Sequence, residues 1–338
     1  MSDLISAINT LTPGIQTRYV SMYDEVWSDS RDKYEPMMDF ALPSDGLYSI
    51  YAHYKSAPMA QRWPRGTPRG AKGFDAFQFQ VVNHDWSVGV RMHENDVMDD
   101  RTNSAVSRAQ QAGSKAARIP VKVFFQIDGA QTNTKLLPSV PNAPDGAALF
   151  SATDGNSLDR FGVSGGNVVS GSGVASVAAI QADYASGIVR LKSFLDTEGE
   201  PFYDDSIEEK GITVVAGVTN YYVLKRALMA MNPQLVVLNA AATENVAATA
   251  GPNQLKEIGV APVRLITNPY KTGNSWSMYA HAAPTKPIFE QTRQAMQYLQ
   301  VNRHNNGDCA RDKEVGWYWD WRAGYGVNIP IGCVQISN

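Results

Sequence analysis

The chain has 338 residues, 43% of them hydrophobic and 19% charged, which is enough apolar material for one large core or two modest ones. Lys plus Arg is 30 against 33 Asp plus Glu, a net charge of -3, so a dedicated nucleic-acid binder is disfavoured. No apolar run approaches the ~18 residues of a membrane span, and the opening MSDLISAINTLTPG lacks the basic start of a secretory signal. The two cysteines, Cys309 and Cys333, form no C-x-x-C pair and read as thiols in a reducing compartment; a disulfide between them is left open by the sequence.

Residues 1–52 are weakly periodic, broken by Pro13, Gly14, Pro36, Pro43 and Gly46, with a short helix expected at Ser21–Trp27. Met22, Tyr23, Val26, Trp27, Tyr34, Met37, Met38 and Phe40 are too apolar for a solvated tail. They point to an arm that becomes ordered on a neighbour. Residues 61–73, QRWPRGTPRGAKG, interleave Arg62, Arg65, Arg69 and Lys72 with Gly and Pro, which excludes a helix interior or a central strand. This is a basic loop. The alternation of Phe77, Phe79 and Val81, the turn Asn83-His84-Asp85, and the alternation of Val88, Val90 and Met92 predict a hairpin beside it. A two-stranded projection is marginal alone and needs a surface to lie on.

From about Asn95 the spacing predicts one helix. Ala105, Ala109, Ala112, Ala116, Ile119 and Val123 fall at steps of 4, 3, 4, 3 and 4. Four alanines in that stripe let a neighbouring backbone approach closely. Glu94, Asp96, Asp99 and Asp100 at the start, and Lys115, Arg118 and Lys122 later, complement the helix dipole, and Pro120 should kink the helix. Residues 129–173 read as loop. A second amphipathic helix carries Val177, Ile180, Tyr184, Ile188, Leu191 and Leu195 and stops at Gly199. Strands are expected at Ile212–Ala216, Val263–Thr267, Trp276–Ala282 and Ile288–Thr292, with a helix over Asn220–Met231. At the end, Val315, Trp317, Trp319 and Trp321 share one strand face, Gly324 and Gly326 are expected to turn the chain, and a last strand carries Val327, Ile329 and Ile331.

Chemistry is poorly represented. His93-Glu94 begins like H-E-x-x-H, but the fifth position is Val97, so two ligands cannot share a face. Gly171-Ser172-Gly173 lacks the third glycine of a dinucleotide loop and the strand before it. The five histidines sit in no nucleophile motif, and Asp99 and Asp100 point about 100° apart on a helix. No catalytic, cofactor-binding or metal-ligating residue is expected, and no cofactor.

The order of several weak motifs resembles the major head subunits of Mu-like tailed phages over residues 60–335. The matching points are Trp63 to Gly66, Val90 leading through Asn95-Asp96 to Asp99-Asp100, and Asp145-Gly146 with Leu149-Phe150-Ser151-Ala152. They continue with Gly199-Glu200-Pro201, Thr213 to Ala216 before a helix, Trp276 with Lys286-Pro287, and Tyr325-Gly326. One departure is Thr153-Asp154 after Ala152, where the family often has Ala-Asp-His.

The resemblance implies an α+β chain with the Hong Kong 97-like phage capsid fold, divided into an N-arm (1–52), an E-loop hairpin (53–93), a peripheral domain with a long spine helix (94–171), an axial domain (172–285) and strands returning to the peripheral domain (286–338). It implies a non-enzymatic subunit, assembled in the host cytoplasm into hexamers and pentamers of an icosahedral head in the virion. The implied partners are other copies of the chain, a separate scaffolding protein, a portal, a decoration protein and, non-specifically, packaged double-stranded DNA; no membrane is implied. Arg62, Arg65, Arg69, Lys72, Asp99 and Asp100 become candidate inter-subunit contacts. Some relatives crosslink through a Lys–Asn bond; Lys72 lies near the expected place, with no partner pattern. The rival readings are an encapsulin-like compartment shell and a soluble α+β enzyme.

Overall fold

A computed structural model of the chain describes residues 2–54, 76–99, 104–133, 135–152, 166–195, 200–203, 206–229, 262–283, 285–302 and 312–338. It opens on a helix far longer than the predicted Ser21–Trp27. Helix α1 spans Ser2–Tyr34 and runs through Pro13. The reason is a ladder at steps of four. Ile15 and Tyr19 are fully buried, Leu11 and Tyr23 pack beside them, and Tyr19 stacks on Trp319 with centroids 3.7 Å apart. Tyr23 and Trp27 continue the stack toward Phe40. Burial of a large aromatic contributes on the order of 2–3 kcal/mol, comparable to the ~3 kcal/mol that a proline inside a helix costs.

The predicted continuous helix from Asn95 is three helices: α2 (Glu94–Met98), α3 (Ser104–Ala117) and α4 (Ile119–Asp128). The break at Arg118 places Pro120 in the first turn of α4, where its missing N–H is not needed. The alanine stripe is as expected: Ala105, Ala109, Ala112 and Ala116 are buried. The backbone it admits is that of α1. At Gly113 a Cβ would lie 2.5 Å from the Tyr19 carbonyl oxygen.

The first strands differ most from expectation. Strands β1 (Met38–Pro43), β2 (Tyr48–Tyr54), β3 (Ala76–Val82) and β4 (His84–His93) all form, but β3 and β4 make no hairpin. Strand β3 pairs antiparallel with β2, from Tyr48↔Val82 to Tyr54↔Ala76. The projection is therefore the hairpin β2–β3; the basic loop expected at its tip, residues 61–73, lies outside the described residues. Strand β4 pairs with a later strand because Val90 and Met92 bury against α3.

Two larger sheets follow. Strands β5 (Val168–Ser170), β6 (Ile212–Gly217), β7 (Arg264–Asn268), β8 (Trp276–Ala280), β9 (Ile288–Val301), β10 (Glu314–Val327) and β11 (Cys333–Ser337) complete the set. The order β1-β9-β10-β4 makes the first sheet, with β1 parallel to β9. The order β5-β11-β8-β6-β7 makes the second. Strand β9 runs nine residues beyond the predicted Thr292, and Gly324 and Gly326 stay in β10 instead of turning. A Cβ at Gly324 would meet the Val82 carbonyl oxygen at 2.5 Å, and one at Gly326 the Phe289 ring at 2.6 Å, so the glycines mark close approach. The expected final strand through Val327, Ile329 and Ile331 is the end of β10 and a 3-10 turn at Pro330–Gly332. Strand β11 joins the second sheet, antiparallel to β8 and parallel to β5.

Helix α5 (Val177–Lys192), capped by Ser176, covers one face of the second sheet with Ile180, Tyr184 and Leu191. Helix α6 (Ser206–Lys210) and helix α7 (Tyr221–Leu224), extended by a π-helical turn at Lys225–Met229, flank it. Helix α4 covers the other face with Val123, Phe124 and Ile127. Alternation along β8 serves both sides: Trp276, Met278 and Ala280 belong to the α5 core, and Tyr279 to the α4 core.

Candidate assembly elements and the buried junction between the sheets

Hairpin β2–β3 is fastened at its root. Tyr51 stacks on Phe79, and both rings meet Phe289 of β9. Gln291 accepts from the Tyr51 hydroxyl at 2.8 Å and donates to the Val81 carbonyl and the Asn83 side chain. Asn83 in turn donates to Ser44 and to the Gly46 carbonyl, each at 2.8 Å. The opposite face is open and mixed: Tyr48, Ile50 and Val82 are 46%, 58% and 42% exposed, with the exposed Gln78 and Gln80 among them. Arg62, Arg65, Arg69 and Lys72 lie outside the described residues.

Asp99 is exposed and ends α2, its backbone N–H donating to the Asn95 carbonyl at 2.9 Å. Asp100 lies outside the described residues. His93 caps the start of α2, its Nδ1 accepting from the Asn95 amide at 3.2 Å. In the Gly171–Gly173 loop the Ser172 amide donates to both oxygens of Asp183 at 2.9 Å, so a carboxylate of this chain already occupies it. Among the described residues, no group of three or more His, Cys, Asp or Glu could hold a metal ion, and no helix is long and apolar enough to cross a membrane. Cys333 is buried and donates to the Pro330 carbonyl; Cys309 lies outside the described residues.

The chemistry that the sequence reading missed is a buried polar cluster where α4 meets the second sheet. Asp128, at the end of α4, is 1% exposed, and Lys271, in the turn between β7 and β8, is 6% exposed. Lys271 Nζ lies 3.1 Å from both carboxylate oxygens. The Tyr279 hydroxyl donates to Oδ1 at 2.8 Å, the Ser277 hydroxyl donates to the same oxygen, and the Asn268 amide donates to Oδ2 at 2.7 Å. Phe150 lies over the Lys271 ammonium, 5.3 Å from Nζ to ring centroid. Burial pushes the Lys271 amine down, and the charge and hydrogen bonds of Asp128 oppose it. Burial first, and then the Asp128 charge, push the Tyr279 phenol well up. Lys271, Ser277, Tyr279 and Asn268 all converge on one carboxylate, Lys271 also donating to the Ser277 hydroxyl at 2.6 Å and Asn268 to the Phe125 carbonyl at 2.8 Å, so the arrangement ties a helix end to a sheet. An open cavity of about 160 Å³, lined among others by Gly129, Leu149, Phe150 and Thr272, lies beside it. One signal was available: an acid at the end of a mostly apolar helix, and Ser277 and Tyr279 alternating with Trp276, Met278 and Ala280.

With this geometry in place, comparison with known proteins gives a family likeness over part of the chain and a likeness of fold over most of it. Residues 10–151 match the model of the Mu-like prophage major head subunit gpT. Over that stretch the chain is similar to Mu-like major head subunits. The matched stretch runs from α1 through hairpin β2–β3 and the helices α2–α4 to the Leu149-Phe150 step. No curated protein matches the sequence. Among solved structures, the capsid of a native GTA particle aligns at 10% identity with a TM-score of 0.56, covering 90% of both chains. The capsid of the cyanophage P-SCSP1u aligns at 13% identity and 0.53, covering 90% of this chain and 86% of that one. The mature capsid of bacteriophage PhiM1 gives 10% identity and 0.52 over 90% and 86%. At such identities the likeness concerns the fold, and it is that of Hong Kong 97-type phage capsid proteins in an α+β arrangement.

Proposed function

We propose that the chain is a Mu-like major head subunit of a virion capsid that closes into hexamers and pentamers of an icosahedral shell around double-stranded DNA, without enzymatic activity of its own. The observation that supports this reading is hairpin β2–β3: hydrogen-bonded at its root through Gln291 and exposing Tyr48, Ile50 and Val82 on its outer face, with the basic sequence 61–73 between its two strands. A projection so built gains stability only by lying on another copy. Modest contacts suffice when several neighbours hold each subunit at once. Arg62, Arg65, Arg69 and Lys72 are proposed to meet an acidic surface of a neighbour, for which Asp99 and Asp100 are candidates.

On the same reading, residues 1–52 act as N-arm, 53–93 as E-loop, 94–171 as peripheral domain and 172–285 as axial domain, with 286–338 returning. A separate scaffolding protein, a portal and a decoration protein complete the head. Contact with packaged DNA is non-specific, in keeping with the net charge of -3. A sizing column tests the reading: material eluting as large assemblies is expected, whereas a stable oligomer of fewer than about a dozen copies at high concentration would refute it.

A further inference from the structure

Glu290 stands apart from everything above. It lies on β9 with only 4% exposure, paired across the sheet with Tyr325 of β10. The Tyr325 hydroxyl donates to its Oε1 at 3.1 Å, while Oε2 is buried with no hydrogen-bond partner. The pairing of β1 with β9 is interrupted opposite this residue. Asp39 pairs with Phe289 and Leu42 with Gln291, so Phe40 and Ala41 together face Glu290. Ala41 takes φ 56°, a left-handed conformation that an alanine adopts only under strain.

We propose that Glu290 is a proton-operated latch on β1, closed when the carboxyl is neutral and opened when it ionises, and that opening frees the N-terminal segment α1–β1. The groups facing the carboxyl are the phenol of Tyr325 from β10, the phenol of Tyr23 from α1 with Asp24 beside it, and the Ala41 amide of β1. None of them is a cation. An anion here therefore lacks the partner that a buried charge needs. Burial pushes the carboxyl up to about 7, against the pull of the Tyr325 hydroxyl and the Ala41 amide. Once β1 lifts and water enters, the carboxyl returns toward its ordinary value of 4.5. Between these two values the closed state holds more protons than the open one, so each rise in pH favours opening, and the effect levels off above about 7. The weak point is β1, an edge strand with an interrupted register, and α1 is joined to it by residues 35–37.

The test is hydrogen exchange of the unassembled full chain, read by mass spectrometry and corrected for intrinsic pH dependence. Between about pH 5.5 and about pH 7.5, protection at Met38–Pro43 should fall roughly 20-fold, with α1 following and α5 unchanged. Glu290→Gln should hold the low-pH protection throughout. Tyr325→Phe, which removes one donor to the carboxylate, should extend the loss to higher pH. Wild-type protection that does not change with pH, an equal loss over α5, or a Glu290→Gln protein that keeps the wild-type response would each overturn the proposal. Should Glu290→Gln fail to fold, the direction of the Tyr325→Phe shift decides.

Discussion

The junction at Asp128 and Lys271 allows a double-mutant cycle with a worked magnitude. Their side chains are 0% and 2% exposed, so neither charge can turn to water when its partner is removed. Breaking a buried pair from one side costs about 3–5 kcal/mol, chiefly through the charge left behind. Asp128→Asn keeps the shape, strips the charge that holds Lys271, and leaves Ser277, Tyr279 and Asn268 competing for one good acceptor. Lys271→Met removes the cation and keeps much of the stem. Each single variant should therefore lose about 3–5 kcal/mol, while the double variant should lose less than their sum by about 3 kcal/mol. Urea unfolding of the dilute subunit, followed by tryptophan fluorescence, measures all four corners. A coupling below about 0.5 kcal/mol would show that the pair does not hold α4 to the second sheet.

Two further outcomes follow from close approaches and from charge. Gly113→Val should cost about 1–3 kcal/mol and expose α1 to protease, because its Cβ would sit 2.5 Å from the Tyr19 carbonyl oxygen. Gly14→Ala, whose Cβ meets Val106 at an ordinary 3.9 Å, should do neither; equal behaviour of the two would refute the assigned α1–α3 contact. Replacing Arg62, Arg65, Arg69 and Lys72 together by Glu should block shell formation while the subunit keeps its fold by circular dichroism. Normal shells from that variant would show that the hairpin tip is not a clamp between copies.

What the sequence made legible were elements with a strong period of their own. The alanine stripe of α3, the Ile180-Tyr184-Leu191 face of α5 and the tryptophan face of β10 all bury as their spacing predicts. Pairing was illegible wherever partners are distant in sequence. The alternations of β3 and β4 look like a hairpin across a short turn, yet β3 turns back to β2 and β4 to β10, because Phe79 and Val90 bury against different partners. The length of α1 was hidden by Pro13-Gly14, which local propensity reads as a stop but which tertiary stacking on Trp319 overrides. Gly324 and Gly326 carried the same ambiguity: a turn and a close backbone approach both demand a missing Cβ. The Asp128 junction joins residues 143 positions apart, a separation no local pattern spans. The resemblance to Mu-like head subunits was legible because it rests on the order of small motifs, which does not depend on knowing which strands pair.

Negative-stain electron microscopy of the purified full-length chain tests the central claim most directly. Closed shells of uniform diameter, built from six-fold and five-fold rings, are the predicted result. A field of small discrete particles at concentrations far above those used for the unassembled subunit, unchanged by salt or by time, would contradict it.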